Sequence, residues 1–115
     1  IINKLEDNGI NYVDDLVNAI IQSSKADKVG GEVFQIATNK ETSINDIIKM
    51  LTLIFSEITS QDINVKKGEV RLGDMKRNFS DISKAKEVLK WEPRKHLNDG
   101  LKETVEYFLR EIRNE

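Results

Sequence analysis

Gly30-Gly31-Glu32-Val33-Phe34-Gln35-Ile36-Ala37, followed six residues later by Ser43-Ile44-Asn45-Asp46-Ile47-Ile48, decides the fold class. The glycine pair reads as a turn, and Val33–Ala37 as a buried strand, because neither face of it is polar. Ser43 has the chemistry of a helix N-cap, and Asp46 three residues on completes a variant capping box. Ile44, Ile47, Ile48, Leu51, Ile54, Phe55 and Ile58 then fall on one face of the helix that follows. A strand delivered into a capped amphipathic helix points to a mixed α/β (α+β) chain.

Helix and short strand alternate outward from this core. Upstream, Val13, Leu16, Val17, Ile20 and Ile21 repeat at helical spacing up to Ser23-Ser24. Ile1–Asp7 suits a short helix stopped by the turn signal Asn8-Gly9. Downstream, Ile63-Asn64-Val65-Lys66 alternates like an edge strand, and the remainder of Gln61–Phe79 reads as a polar, glycine-containing loop. Asp81 can cap a helix whose Ile82, Ala85, Val88 and Leu89 share a face, and Pro93 marks its end. The last helix begins near Leu97, with Leu101, Val105, Phe108, Leu109 and Ile112 expected inward. The expected architecture is one small lobe of four or five helices with a few short strands.

Composition allows that and little more. A chain of 115 residues fits one domain, which hides roughly two thirds of its unfolded surface. Hydrophobic residues at 38% and charged residues at 33% are ordinary for a globular protein. The net charge of -2 favours neither nucleic acid nor an anionic membrane as partner. The absence of cysteine excludes disulfides and thiolate zinc sites, and is compatible with the reducing cytoplasm. No apolar run is long enough to span a bilayer as a helix. The first residue is Ile1, not methionine, which points to a fragment or a processed chain.

Self-sufficient catalytic machinery is missing from the sequence. No G-x-G-x-x-G turn and no P-loop occur. The residues four positions after Tyr12 and Tyr107 are Leu16 and Glu111, so there is no Tyr-x-x-x-Lys pair. His96 is the only histidine, which leaves no histidine-based triad. Asp14 and Asp15 look like paired carboxylates, yet adjacent acids at a helix start more often cap it and complement its dipole. Trp91 reads as a core or lid anchor, and His96 as an exposed cap or linker residue.

One run has binding chemistry. Arg71-Leu72-Gly73-Asp74 joins a guanidinium, which grips phosphate through two parallel hydrogen bonds, to a carboxylate able to accept from sugar hydroxyls. Around it, Lys66, Lys67, Arg71, Lys76 and Arg77 outnumber Glu69 and Asp74. On pattern alone such a tetrapeptide is more often a solvated turn.

Six landmarks in order lift it above that reading. Tyr12-Val13-Asp14-Asp15-Leu16-Val17 resembles a Y-V-D-D-V-V segment, and Val33–Ala37 through Thr42-Ser43-Ile44 resembles F-N-I-G-x-G-x-x-x-S-I. Next come the R-x-G-D of Arg71–Asp74, the A-D-x-S-K-A-like Ser80–Ala85, and the L-G-W-x-P-like Leu89-Lys90-Trp91-Glu92-Pro93. Gly100-Leu101-Lys102-Glu103-Thr104-Val105 with Tyr107-Phe108 closes the series. Together they resemble the C-terminal part of the NAD-dependent nucleotide-sugar epimerases and dehydratases of the extended short-chain dehydrogenase/reductase family, most of all the UDP-sugar 4-epimerases.

The resemblance implies a substrate-binding lobe without its Rossmann cofactor domain. Residues 1–28 would adjoin that missing domain, and residues 29–115 would form the lobe proper. It implies that Arg71 contacts the diphosphate and Asp74 the nucleotide ribose of a UDP-sugar. No cofactor is expected on this chain, whereas NAD is implied for the full-length family member, along with a catalytic tyrosine and lysine that this chain lacks. A homo-oligomer is compatible with the resemblance. One departure lies near the start: members carry a longer stretch, with a Y-G-x-G turn and an arginine before D-F, where here Asn8-Gly9-Ile10-Asn11 runs straight into Tyr12. The alternative is a non-catalytic interaction module derived from the same family, using apolar surfaces that the Rossmann domain once covered.

Overall fold

The computed structural model describes residues 11–66, 68 and 80–114. Arg71, Asp74 and the short helix expected over Ile1–Asp7 lie outside the described residues. Four helices form among the described residues: α1 (Val13–Lys25), α2 (Ile44–Thr59), α3 (Ser83–Leu89) and α4 (Leu97–Asn114). The chain divides into two compact units, one of Ile1–Glu41 with Arg77–Lys95 and one of Thr42–Lys76 with His96–Glu115.

In the first unit, α1 packs against α3. Its core consists of Ala19, Ala37, Ile82, Ala85, Leu89 and Trp91, with Ala26, Val29, Phe34 and Ile36 packed around them. Trp91, 2% exposed, is the large side chain about which small residues close. This matches its reading as a core anchor, and the apolar body of an indole explains why burial there is favourable. Helix α1 turns Asp15 and Ala19 inward and leaves Val13, Val17, Ile20 and Ile21 exposed. Helix α3 buries Ala85 and Leu89 beside Ile82, while Val88 stays 46% exposed.

Asp81, expected to cap α3, stands one residue before the N-cap, which is Ile82 and makes no side-chain cap bond. The Asp81 carboxylate accepts from the Ser83 N–H at 2.9 Å and also from the Ser83 hydroxyl. That is a turn two residues long, placed just ahead of the helix. At the other end Lys90 adopts a left-handed conformation, φ 55° and ψ 28°, and the Trp91 N–H reaches back to the Ala85 carbonyl at 3.2 Å. Lys90 occupies the glycine position of the L-G-W-x-P pattern, and its φ shows why glycine suits that position.

In the second unit, α2 packs on α4. The capping box of α2 is formed as expected: the Asp46 N–H donates to the Ser43 hydroxyl at 3.1 Å, and the Asp46 carboxylate accepts from Ser43 in return. Ile47 and Ile54 are buried, whereas Ile44 at the first turn is 70% exposed. The inward face expected for α4 is only half met. Leu101, Val105 and Leu109 are partly covered, but Phe108 and Ile112 are 59% and 68% exposed. These two lie beyond the arc of α4 that α2 covers, and Tyr107 meets Phe108 edge to face at 5.4 Å.

The expected short strands are not formed among the described residues: Val33–Ala37 and Ile63–Lys66 have no regular secondary structure. A strand exists only as one side of a hydrogen-bonded ladder, and the described residues offer neither segment a second side. Val33–Ala37 nevertheless keeps a strand-like alternation, with Phe34 and Ile36 partly buried and Val33 and Gln35 exposed. The described fold is therefore a helical lobe.

Candidate functional site

Arg71 and Asp74 fall outside the described residues, and the described segments on either side of them in sequence are α2 with residues 60–66 and the stretch from Ser80. On the N-terminal side, α2 ends at Ser60, which takes a left-handed conformation at φ 55° and sends its N–H to the Ser56 carbonyl at 2.9 Å. C-terminal to it in sequence, Ser80 is 7% exposed and Ile82 is 1% exposed.

The first unit contains a polar clasp that the sequence reading had not located. Asp15, 5% exposed, accepts from the Arg94 N–H at 3.0 Å and from the Lys95 N–H at 3.1 Å. The Trp91 indole N–H donates to the Asp15 carbonyl at 2.9 Å. Tyr12, not an acid, is the N-cap of α1, and its side chain makes no cap bond. Asp15 therefore satisfies the backbone of a distant segment and does not cap its own helix. Two backbone donors match the two oxygens of one carboxylate, which makes its burial tolerable. The signal was available: Asp15, Ala19, Gln22 and Ala26 recur at the spacing of one helix face. An acid on a face that carries alanine needs a partner. Next to the clasp, the Lys95 ammonium stands 5.0 Å from the centre of the Tyr12 ring.

A second polar group lies at the rim of the first unit. Lys84 pairs with Glu32 and sits 5.1 Å above the Phe34 ring. The hydrogen bond and then the charge of Lys84 hold the Glu32 carboxyl below its ordinary range. The hydrogen bonds from Ser83 do the same for Asp81, and those from Ser43 for Asp46. Glu32 and Phe34 also border a concavity of about 490 Å³, lined chiefly by Ala19, Ile20, Val29, Phe34, Ile36 and Leu89, with Ser23 and Ser24 among its polar residues. A wall this apolar suits a hydrophobic occupant better than a charged one. His96 is exposed, as expected. Among the described residues no cluster of acids and histidine has metal-ligating geometry, and no helix is long and apolar enough to cross a membrane.

The described residues do not fit a dinucleotide. Gly30 and Gly31 are adjacent, but a Cβ added at either meets nothing within 4 Å. They follow a helix and leave open space around themselves, whereas a phosphate cradle needs glycines where a strand turns closely into a helix.

Comparison with known proteins places these features. Residues 6–104 match the family described as GDP-mannose 4,6 dehydratase. The UDP-glucuronate 4-epimerase of Thermodesulfobacterium geofontis is 36% identical over 98 residues, which cover 84% of this chain and 28% of that protein. The chain spans roughly three tenths of the length of the curated relatives it matches. The crystal structure of the UDP-glucose 4-epimerase of Thermotoga maritima with UDP-glucose superposes with a TM-score of 0.75 at 38% identity, covering 89% of this chain and 31% of the other. MoeE5, solved with UDP-glucuronic acid and NAD, shares the fold at a TM-score of 0.77 and 24% identity, over 93% of this chain and 38% of its own. The six landmarks, the helical lobe and the match over residues 6–104 converge: the chain belongs to the GDP-mannose 4,6 dehydratase family of nucleotide-sugar enzymes, and corresponds to a part of its members.

Proposed function

We propose that this chain is the nucleotide-sugar-binding C-terminal part of an NAD-dependent UDP-sugar 4-epimerase-like protein, and that it recognises substrate without turning it over alone. Arg71 grips the diphosphate with paired hydrogen bonds, and Asp74 accepts from the hydroxyls of the ribose. The work of these residues is positioning: a sugar held by its nucleotide handle is presented to chemistry elsewhere. The observation that carries this reading is Arg71-Leu72-Gly73-Asp74, in family order, within a chain 38% identical to an epimerase solved with UDP-glucose.

NAD belongs to the remainder of the family fold, because this chain has neither the glycine-rich turn nor a Tyr-x-x-x-Lys. In that larger frame residues 1–28 adjoin the cofactor-binding part and residues 29–115 form the substrate lobe. The short strand expected at Val33–Ala37 forms when the larger fold supplies its ladder. A protein working on UDP-sugars with NAD is placed in the cytoplasm, and self-association is compatible with its exposed apolar residues.

Isothermal calorimetry of the chain with UDP, UDP-glucose and UDP-glucuronate tests the reading, with Arg71→Ala and Asp74→Ala as comparisons. Loss of a charge-assisted contact predicts binding about 10- to 100-fold weaker in Arg71→Ala. Undetectable binding, or binding indifferent to Arg71→Ala, overturns the assignment for the chain by itself. A second reading draws on the exposed stripe of Val13, Val17, Ile20 and Ile21. In that reading the chain is a non-catalytic interaction module, and a protein partner replaces the nucleotide-sugar.

A further inference from the structure

We draw no further inference here: the strongest candidate, the apolar concavity that α1 shares with Phe34, Ile36 and Leu89, belongs with Val33–Ala37 to the face already assigned to the larger fold, and nothing in the structure shows what covers it.

Discussion

At Asp15 one carboxylate serves two backbone N–H groups 79 and 80 positions away, and the same residue's carbonyl receives the Trp91 indole. Asp15→Ala deprives both donors of a partner and is expected to cost about 2–3 kcal/mol, more than truncation of an exposed acid. Asp15→Asn preserves shape but turns an amide NH2 toward a backbone N–H, so the isosteric change is costly as well. Urea denaturation monitored by Trp91 fluorescence measures both, and a cost under about 0.5 kcal/mol for Asp15→Ala would sink the clasp. Lys90 gives a prediction of opposite sign. Its φ of 55° strains a β-carbon, so Lys90→Gly is expected to stabilise the chain by about 0.5–1 kcal/mol. In the sequence, Trp91 and the resemblance of Leu89–Pro93 to L-G-W-x-P were plain. The role of Asp15 was hidden by its neighbour, since adjacent acids suggest a helix start and only helix phase separates the inward one from the outward one.

At the scale of elements, α2 was the most legible, because cap, box and apolar face all lie within one continuous stretch. Its acid sensitivity follows from its cap. Hydrogen bonds from Ser43 lower the Asp46 carboxyl below its ordinary value, and those from Ser83 lower that of Asp81. A carboxyl whose pKa is lower folded than unfolded contributes stability above its unfolded value, and that contribution is lost as pH falls through the folded one. The difference in melting temperature between the wild type and Asp46→Asn is therefore expected to be full at pH 7 and to shrink below about pH 4. A difference that is constant from pH 7 to pH 3 would show that the box adds no charge-dependent stability. The strands were less legible for a physical reason. Val33–Ala37 has the apolar pattern of a strand, but a ladder is a relation between two segments, and the described residues contain one of them. Helix α4 misled in a similar way: Phe108 and Ile112 follow helical spacing, yet spacing does not say how wide a face the neighbouring helix covers.

For the whole molecule, the division into two units was not legible at all. Each unit is assembled from two separated stretches, so no linker or change in composition marks a border. Arg71 and Asp74 stand out in the sequence by motif and family order, while their placement lies outside the described residues. The Asp15 clasp also has a consequence in time. Its hydrogen bonds join residues 76 to 80 positions apart, and chain synthesis proceeds from the N-terminus at about 5–20 residues per second. While a ribosome makes this protein, α1 emerges before there is a Trp91 to pack on or an Arg94 or Lys95 amide to accept from. The first unit stays open until Trp91, Arg94 and Lys95 have been made. Throughout that interval the face of α1 that carries Asp15 and Ala19, buried in the folded unit, is available to whatever binds near the ribosome exit.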